Sequence, residues 1–300
     1  MSFVVVGTIA YDSVATIAGE AKEVLGGSAS YCSFAASFFT RTKIVGTVGK
    51  DFSASHMNLF KKHSIDTEGI DKVDGLTFRW KGKYSHDFDE AFTIETHLNV
   101  LQNAKIALPE SYKKCAILFL ANIDPEIQLE VLSQMKQVKF IAMDTMNFWI
   151  TSKLELLKKL FRRVNLLCIN EGEARMLSGE KNIIKAAKKI MKMGPSILII
   201  KRGSYGALLF HDTHICSVPA FPLEEVVDPT GAGDSFAGGL LGYLSTRKNI
   251  NIQNLRKALG YGNIVASFTV EGFSVNKLAS ITRTEIEHRY KLFKEITALS

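Results

Sequence analysis

The chain has 300 residues, of which 46% are hydrophobic and 22% are charged, and this composition is close to that of an average globular protein. It excludes a disordered, collagenous or coiled-coil protein. The longest apolar runs are far shorter than the roughly 20 residues that span a bilayer, and the first residues lack the basic stretch of a secretory signal. We therefore expect a cytoplasmic protein with no membrane partner.

The charge balance is basic, because 37 Lys and Arg residues against 30 Asp and Glu residues give a net charge of +7. Much of the excess lies in two segments, 153–163 and 181–192, where basic and apolar residues alternate. A solvated helix face explains this pattern. A nucleic-acid groove is the alternative, but no helix-turn-helix or zinc-finger spacing accompanies it, so we expect no nucleic-acid partner. The four cysteines lie far apart without a CxxC pair, which indicates buried, reduced thiols.

Short β-branched runs alternate with amphipathic segments, which predicts an α/β fold with a mainly parallel central sheet between helix layers. The predicted strands are 3–6, 43–48, 117–120, 140–143, 166–169, 197–201, 207–210 and 215–218. The predicted helices are 29–39, 53–62, 126–136, 153–162, 183–193, 234–243, 252–270 and 284–296.

One segment, 76–84, departs from this alternation and has a period of two. Its aromatic side chains, Phe78, Trp80 and Tyr84, share one face, and its basic side chains, Arg79, Lys81 and Lys83, share the other. A second extended segment, 91–100, follows it, so the pair predicts a small antiparallel flap. An ordinary edge hairpin packed on the core is the alternative. A flap would need its aromatic face covered by substrate, by a partner flap or by the main body.

The most informative segment is 226–241, in which glycines precede a helix. Pro229 and the glycines at 231 and 233 cannot readily continue a strand, whereas 235–243 has helical spacing. Backbone N–H groups of residues 230–234 can face an anion, and the helix dipole adds about half a positive charge there. Asp234 can then accept a proton from an attacking hydroxyl, which suits phosphoryl transfer. A tight turn with Asp234 as a helix cap explains the same residues without any chemistry.

The two better-known glycine motifs do not fit this segment. It has no GxxxxGK sequence, and it fails GxGxxG because Ala237 stands at the third glycine. The sequence DPTGAGDSFAGGLL instead resembles the second signature of the ribokinase-like (PfkB) carbohydrate kinase family. The resemblance extends over nearly the whole chain through segments 7–12, 26–27, 45–51, 170–173 and 201–206, which occur in the family's order.

This resemblance implies a ribokinase-like three-layer α/β/α sandwich with a mainly parallel central sheet. It also implies that residues 1–300 form a single kinase domain, with a small β lid formed by about 12–20 and 76–100. The lid fits the flap interpretation of 76–100 and replaces the edge hairpin.

The resemblance also implies roles for individual residues. Asp234 looks like the catalytic base, and Gly231, Ala232 and Gly233 look like the anion hole for the γ-phosphoryl group. Asp12, Gly26 and Gly27 look like contacts to substrate hydroxyls, a role that suits a carboxylate able to accept two hydrogen bonds. The implied nucleotide-binding residues are Asn170, Glu173, Lys201, Gly203, Gly206, Thr230 and Asn263.

The implied cofactors are ATP and Mg²⁺. Asn170 and Glu173 have the spacing of a capping box, which by itself explains them structurally. In the family these positions face the nucleotide phosphates, and Glu173 would help to place Mg²⁺ through water. Asp144 and Asn147 follow a predicted strand and are expected along the phosphate path. Asp228 resembles a residue near the family's monovalent-cation site, which makes K⁺ a candidate activator.

Two departures from the family pattern leave the phosphate acceptor open. Tyr31 stands where ribokinase-type patterns have Asn, four residues beyond Gly27, and segment 270–278 lacks the usual run of small residues. Both departures concern substrate selection or the nucleotide edge. They leave the residues of phosphoryl transfer intact.

The resulting interpretation is an ATP-dependent kinase that phosphorylates a hydroxymethyl group of a sugar. A nucleoside kinase is the alternative, because the aromatic residues of the lid, with Phe88 and Phe92 added, can stack on a base. The basic face of the lid would instead suit a sugar phosphate. A non-catalytic nucleotide or sugar sensor and a dehydrogenase are rivals from other classes. The resemblance also makes a homodimer through the lid an expectation.

Overall fold

The computed structural model describes residues 1–85 and 91–298, and Phe88 therefore lies outside the described residues. The described chain forms two sheets. The central sheet contains β1 (Phe3–Val6), β4 (Thr42–Gly49), β5 (Ile65–Val73), β8 (Ile117–Leu120), β9 (Phe140–Met143), β10 (Leu166–Asn170), β11 (Ile197–Lys201), β12 (Ala207–His211) and β13 (His214–Val218). The second sheet, called the small sheet below, contains β2 (Ala10–Thr16), β3 (Gly19–Gly26), β6 (Phe78–Tyr84) and β7 (Ala91–His97).

The helices follow the strands in the alternation that the sequence predicts. They are α1 (Ser28–Ser37), α2 (Ala54–Lys62), α3 (Glu110–Lys113), α4 (Pro125–Gln134), α5 (Asn147–Ser152), α6 (Leu154–Phe161), α7 (Glu171–Ser178), α8 (Ile183–Met191), α9 (Ala232–Ser245), α10 (Ile252–Thr269), α11 (Asn276–Ser280) and α12 (Arg283–Thr297). Short 3-10 helices cover Asn99–Asn103 and Gly203–Tyr205. Among the described residues, no helix has the length and hydrophobicity that crossing a bilayer requires.

The central sheet has the strand order β13-β12-β11-β10-β9-β8-β1-β4-β5. Neighbouring strands pair parallel except at one edge, where β12 pairs antiparallel with both β11 and β13. Strand β1 is fully buried, with Phe3 and Val5 in one core cluster and Val4 and Val6 in the other. Because successive side chains of a strand face opposite ways, helices cover both faces of the sheet. This is the predicted three-layer α/β/α sandwich.

The predicted strands of the central sheet all form, with ends within one residue of the prediction, and the predicted helices form with ends within two residues. The sequence pattern does not predict β2, β3 or β5. These strands are rich in polar residues, and several side chains of β3 and β5 are exposed, so the three strands carry a weak hydrophobic signal. Pairing with neighbouring strands, rather than local sequence, therefore determines them.

The small sheet has the order β3-β2-β6-β7. The segments expected in a lid, 12–20 and 76–100, fall mainly in this sheet, although β2 begins at Ala10 and β3 continues to Gly26. The extended segment predicted for 91–100 ends at His97, where a 3-10 helix follows. Strands β2 and β6 are parallel, and their register places Asp12 beside Trp80.

Candidate active site

Three polar side chains lie where parallel strands of the central sheet end. Asp144 directly follows β9, Asn170 ends β10 and Lys201 ends β11. In open α/β sheets, ligands bind outside the carboxyl ends of the strands. The N-terminus of α9 lies at the same edge, because a Cβ atom built at Gly233 would be 3.0 Å from Nζ of Lys201.

The turn before α9 has a backbone conformation that favours glycine at position 231. Gly231 caps the helix with φ of 76°, in the left-handed region that glycine adopts without strain. Thr230 N donates to Oδ1 of Asp228 at 2.9 Å, and Ala232 N donates to the carbonyl of Pro229 at 3.1 Å. The amides of Thr230 and Ala232 therefore donate hydrogen bonds within the turn. The sequence, in contrast, suggests that the amides of all residues 230–234 could face an anion.

The remaining amides of this turn are those of Gly231, Gly233 and Asp234. They have no acceptor among the residues that the structure describes. Three N–H groups at a helix N-terminus can bind an anion together with the positive end of the helix dipole. We refer to these three amides as the anion-hole amides.

Lys201 forms an ion pair beside the anion-hole amides. Its Nζ atom lies 2.8 Å from Oδ2 of Asp144, and both side chains are largely buried. Burial lowers the pKa of Lys201, but nearby acidic groups, Asp144 foremost, raise it by more. The net pKa of Lys201 therefore lies above its ordinary value. Burial raises the pKa of Asp144 despite the opposing effect of Lys201. Lys201 therefore keeps its positive charge beside Gly233.

Asp234 lies in the first turn of α9. Burial and, less strongly, the nearby Asp144 raise its pKa while Lys201 lowers it, and the net pKa is about 7. A carboxylate with a pKa near neutrality can accept a proton efficiently at the pH of the cell. The position and the pKa of Asp234 both suit a general base.

Asp12 lies on β2, is buried, and faces the same site. A Cβ atom at Gly26 would lie 1.9 Å from Oδ2 of Asp12, so glycine alone leaves room for the carboxylate there. Burial raises the pKa of Asp12, the Gly27 amide lowers it, Asp228 and Asp234 raise it, and the net pKa is about 7. The structure thus brings Asp12, Gly26 and Gly27 together near Asp234.

Asn170 and Glu173 form the capping box that their spacing predicts. Oδ1 of Asn170 accepts from Glu173 N at 2.8 Å, and Oε2 of Glu173 accepts from Asn170 N at 2.7 Å. Burial and Asp144 raise the pKa of Glu173 while Lys201 lowers it, and the net pKa is about 7. Glu173 is therefore both a structural cap and a carboxylate of the same charged cluster.

Gly203 and Gly206 bound a tight turn after β11. Gly206 has φ of 82°, and a Cβ atom there would lie 2.1 Å from the carbonyl oxygen of Val218, so the close approach requires glycine. Asn263 is buried on α10, which packs against α9, β12 and β13. Its Nδ2 atom has no hydrogen-bond partner within the described part of the chain. The approach of Asn263 to a nucleotide base stays a prediction.

The inward face of the small sheet is its aromatic face. Trp80 is in register with Asp12 on the neighbouring strand, so their side chains share a face. Further along β6, the Tyr84 hydroxyl accepts a hydrogen bond of 3.3 Å from Oγ1 of Thr230. The sequence identified this aromatic face, but the direction in which it points depends on the tertiary structure.

The basic side chains of β6 point the other way. Arg79 forms ion pairs with Glu23 and Asp51, and Lys81 pairs with Glu95. The cations are therefore neutralised by two carboxylates of the small sheet, Glu23 and Glu95, and by Asp51, which follows β4. They do not face Asp12.

Tyr31 also belongs to this site, although the sequence analysis identified it only as a departure from the family pattern and gave it no specific contact. Its side chain is fully buried on α1, and a Cβ atom at Gly231 would lie 2.3 Å from Cγ of its ring. Burial raises the pKa of Tyr31, and Asp12, Asp228, Tyr84 and Asp234 raise it further. The one signal in the sequence was its departure from the family's Asn.

The fold and the site together define a phosphoryl-transfer enzyme of the ribokinase-like type. The sequence profile of the pfkB family carbohydrate kinases matches residues 2–281. The chain is 30% identical to a cytidine kinase of Thermococcus kodakarensis over 248 residues, which cover 80% of this chain and 87% of that protein.

Solved structures show the same architecture. A nucleoside kinase of Methanocaldococcus jannaschii, called an archaeal member of the ribokinase family, is similar with a TM-score of 0.79 at 20% identity, over 97% of this chain and 99% of that one. A putative ribokinase II of E. coli in complex with ATP and Mg²⁺ is similar with a TM-score of 0.78 at 18% identity, over 97% and 99%.

The chain therefore belongs to the pfkB family of carbohydrate kinases. It is a kinase that phosphorylates a sugar or a nucleoside.

Proposed function

We propose that this kinase transfers the γ-phosphoryl group of ATP to a hydroxymethyl group of a nucleoside. The observation that carries the proposal is the orientation of the small sheet. Trp80 and Tyr84 lie on the face that carries Asp12, where an aromatic ring can stack on a base. The similarity to a cytidine kinase supports the same choice.

The charges of the site disfavour a sugar phosphate as the acceptor. Asp12, Asp228 and Asp234 lie near one another, and their mutual repulsion contributes to the raised pKa of Asp12. A phosphate on the acceptor would be repelled by these carboxylates. Arg79 and Lys81, which could offset that repulsion, are paired elsewhere. The acceptor is therefore an uncharged molecule.

A neutral free sugar is the second candidate. The hydroxyl groups of a pentose and of the ribose in a nucleoside are similar, and Asp12 can accept hydrogen bonds from either. The match to the pfkB carbohydrate kinases supports this candidate. Stacking on the aromatic face distinguishes the two, because only a nucleoside has a base.

In the proposed mechanism, Asp12 orients the acceptor hydroxyls while Asp234 accepts the proton of the attacking hydroxymethyl group. The anion-hole amides of Gly231, Gly233 and Asp234 hold the transferring phosphoryl group, and Lys201 offsets its charge. Phosphoryl transfer passes through a loose transition state, so positioning and charge stabilisation supply most of the acceleration. The proton reaches Oδ1 or Oδ2 of Asp234.

The residues near Glu173 fit Mg²⁺ bound largely through water. Glu173 uses Oε2 in the capping box, which leaves its second carboxylate oxygen for a water ligand. The described ranges contain no cluster of three His, Cys, Asp or Glu residues that could form a protein cage for a metal. Mg²⁺ keeps several waters and takes few protein ligands, so this donor set is adequate. When bound, Mg²⁺ neutralises phosphate charge.

Asp228 fits a monovalent cation such as K⁺. Its side chain is buried, and its Oδ2 atom makes no hydrogen bond to any residue in the described ranges. A buried carboxylate oxygen without a partner is costly unless a cation or a donor satisfies it. Asp228 would hold the cation one turn before the anion-hole amides.

We further propose that residues 1–300 act as one kinase domain in the cytoplasm, with the small sheet as a lid over the acceptor. Strand β7 is exposed along its length and presents Phe92 and Ile94, which are 54% and 49% exposed. A second copy of the chain would cover these side chains, which supports a homodimer through the lid. The proposed ligands are small molecules, with no nucleic acid or membrane among them.

A panel of acceptors with Mg²⁺ and ATP tests the proposal by release of ADP. The panel contains ribonucleosides, free pentoses and hexoses, and sugar phosphates. We expect the highest kcat/KM with a nucleoside and the lowest with sugar phosphates. Fast turnover of a sugar phosphate would contradict the proposal, and ATP binding without turnover of any acceptor would favour a sensor. The Asp234→Asn variant controls for a contaminating kinase.

A further inference from the structure

Asp51 connects the end of β4 in the central sheet to the start of β6 in the small sheet. Its Oδ1 atom accepts hydrogen bonds from the backbone N–H of Thr77 at 2.8 Å and from the Thr77 hydroxyl at 2.7 Å. The same hydroxyl accepts from Gly49 N at 3.0 Å, and Thr77 is fully buried. The chain therefore enters β6 while it is hydrogen-bonded to the end of β4.

The second carboxylate oxygen of Asp51 holds Arg79, which lies two residues further along. Oδ2 of Asp51 accepts from Nη2 of Arg79 at 2.9 Å, and Nη1 of Arg79 donates to the carbonyl of Thr77 at 3.0 Å. Nε of Arg79 donates to Glu23 on β3 at 2.7 Å, and the guanidinium carbon lies 5.4 Å from the centre of the Tyr11 ring on β2. Arg79 therefore connects Asp51 to three strands of the small sheet.

The Asp51 carboxylate stays ionised at this junction. Partial burial raises its pKa, but hydrogen bonds from Thr77 and Arg79 and the charge of Arg79 lower it by more, so the net pKa lies below its ordinary value. Charge-assisted hydrogen bonds are stronger than neutral ones. The side chains of Asp51 and Arg79 are 21% and 25% exposed, so water screens this pair less than a fully exposed one.

The register of β2 and β6 links this junction to the acceptor site. Tyr11 is in register with Arg79, and the next pair along is Asp12 and Trp80. Successive side chains of a strand point to opposite faces, so Tyr11 and Arg79 face away from the acceptor side on which Asp12 and Trp80 lie. The Tyr11 hydroxyl also donates to the carbonyl oxygen of Asp51 at 3.4 Å. Both strands that carry acceptor-site residues are therefore held at the adjacent residue.

The groups assigned to the chemical step lie outside the small sheet. Lys201 ends β11, and Asp234 and the anion-hole amides lie at the start of α9. Loss of the Asp51 carboxylate should leave them in place and loosen the part of the small sheet that carries Asp12 and Trp80. A site that is correctly ordered for only a fraction of the time binds its ligand more weakly by that fraction.

We propose that Asp51 is a positioning residue for the phosphate acceptor. Its carboxylate fixes Thr77 and Arg79 at the junction of the two sheets. It thereby holds Asp12 and Trp80 in the arrangement that binds the acceptor, and it acts through these residues rather than by touching the acceptor itself. The inference rests on the proposed function, because it assumes that the acceptor contacts Asp12 and Trp80.

The Asp51→Asn variant tests the inference with the acceptor of the panel that has the highest kcat/KM. Asn has one oxygen and one NH₂ group, so it cannot accept hydrogen bonds from Thr77 and Arg79 with two oxygens as the carboxylate does. We expect the acceptor KM to rise about tenfold, with kcat changed by less than about threefold and the KM for ATP unchanged within about twofold. An acceptor KM within about twofold of wild type, or an equal rise in the KM for ATP, would overturn the inference.

Asp66→Asn is the matched control. The Asp66 side chain is 20% exposed, close to the value for Asp51, and it also pairs with an arginine, Arg41, at 3.3 Å, but it lies on β5 of the central sheet. This variant should leave the acceptor KM unchanged within about twofold. If it raised the acceptor KM as much as Asp51→Asn does, a general effect of losing a carboxylate would explain both variants and the inference would fail.

A double-mutant cycle with Arg79→Gln separates positioning through Arg79 from a merely structural role of Asp51. Arg79→Gln alone should also raise the acceptor KM about tenfold, because it breaks the same link. The double variant should then have an acceptor KM no higher than about that of the worse single variant, since neighbouring residues that share one interaction are not additive. Factors that multiply to about a hundredfold, or no effect of Arg79→Gln, would contradict the inference.

The inference and the proposed function fail in different ways. Turnover of a nucleoside by the wild-type enzyme, with an unchanged acceptor KM in Asp51→Asn, would overturn the inference alone. If the wild-type enzyme turns over no acceptor, the proposed function fails, and titration calorimetry with the same acceptors then decides the role of Asp51. Binding about tenfold weaker in Asp51→Asn would support the inference, whereas equal affinity, or no binding by wild type, would overturn it.

Discussion

The ammonium group of Lys201 lies 2.8 Å from the carboxylate of Asp144. Asp144 directly follows β9 and Lys201 ends β11, and β10 lies between these two strands. The pair is largely buried, and the ammonium also stands beside Gly233 in the first turn of α9. Asp144 therefore fixes the positively charged ammonium group of Lys201 where a transferring phosphoryl group would lie. The site contains this charge before any ligand binds.

Replacement of Lys201 by Met should reduce kcat about 10²-fold, because the charge beside the anion-hole amides is lost. It should also lower the free energy of unfolding by about 3 kcal/mol, since Asp144 would be left buried without its partner. Steady-state kinetics and urea unfolding measure the two effects. Lys158→Met is the control, because Lys158 forms an exposed pair with Glu155 and should change neither quantity.

Replacement of Asp234 by Asn should lower kcat about 10²-fold or more and leave ATP affinity nearly unchanged, because only the proton acceptor is removed. Kinetics and titration calorimetry with ATP separate the two quantities. An Asn variant with nearly normal turnover would exclude Asp234 as the base.

The activity of the wild-type enzyme should depend on pH through the same carboxylate. The pKa of Asp234 is raised to about 7, and the base must be ionised to accept a proton. The kcat/KM for the acceptor should therefore rise with pH below about 7 and reach a plateau above it. A profile that stays flat from pH 5 to 8 would contradict a base with this pKa.

Replacement of Trp80 by Ala should raise the KM for a nucleoside about tenfold, because stacking on a base contributes roughly 1–3 kcal/mol. The KM for a free pentose should change little. Lys81→Ala is the matched control, because Lys81 lies on the opposite face of the same strand and pairs with Glu95. An effect of Lys81→Ala alone would reverse the assigned orientation.

Replacement of K⁺ by tetramethylammonium should lower kcat if Asp228 holds a monovalent cation. Asp228→Asn should remove that dependence, because a neutral amide binds K⁺ more weakly than a carboxylate does. The measurement is kcat over a titration of K⁺ at constant ionic strength. Equal stimulation of the wild-type and variant enzymes by K⁺ would place the cation elsewhere.

The amino-acid sequence was sufficient for every described strand of the central sheet except β5 and for most of the helices. The strand β1 and its neighbours are continuous apolar runs, and the segment before α9 has glycines at fixed spacing, so both carry their signal locally. The capping box of Asn170 and Glu173 is equally local, because its partners are three residues apart.

Only the tertiary structure decided which face of the small sheet looks inward, that Lys201 pairs with Asp144, and that Tyr31 packs beneath Gly231. Polar strands such as β2 and β3 form by pairing with distant strands, and Tyr31 meets Gly231 across most of the chain. Such contacts depend on how separate elements pack, and a periodic pattern along one segment contains no information about its distant neighbours. The choice between a sugar and a nucleoside depends on these long-range contacts, which is why the sequence pattern left it open.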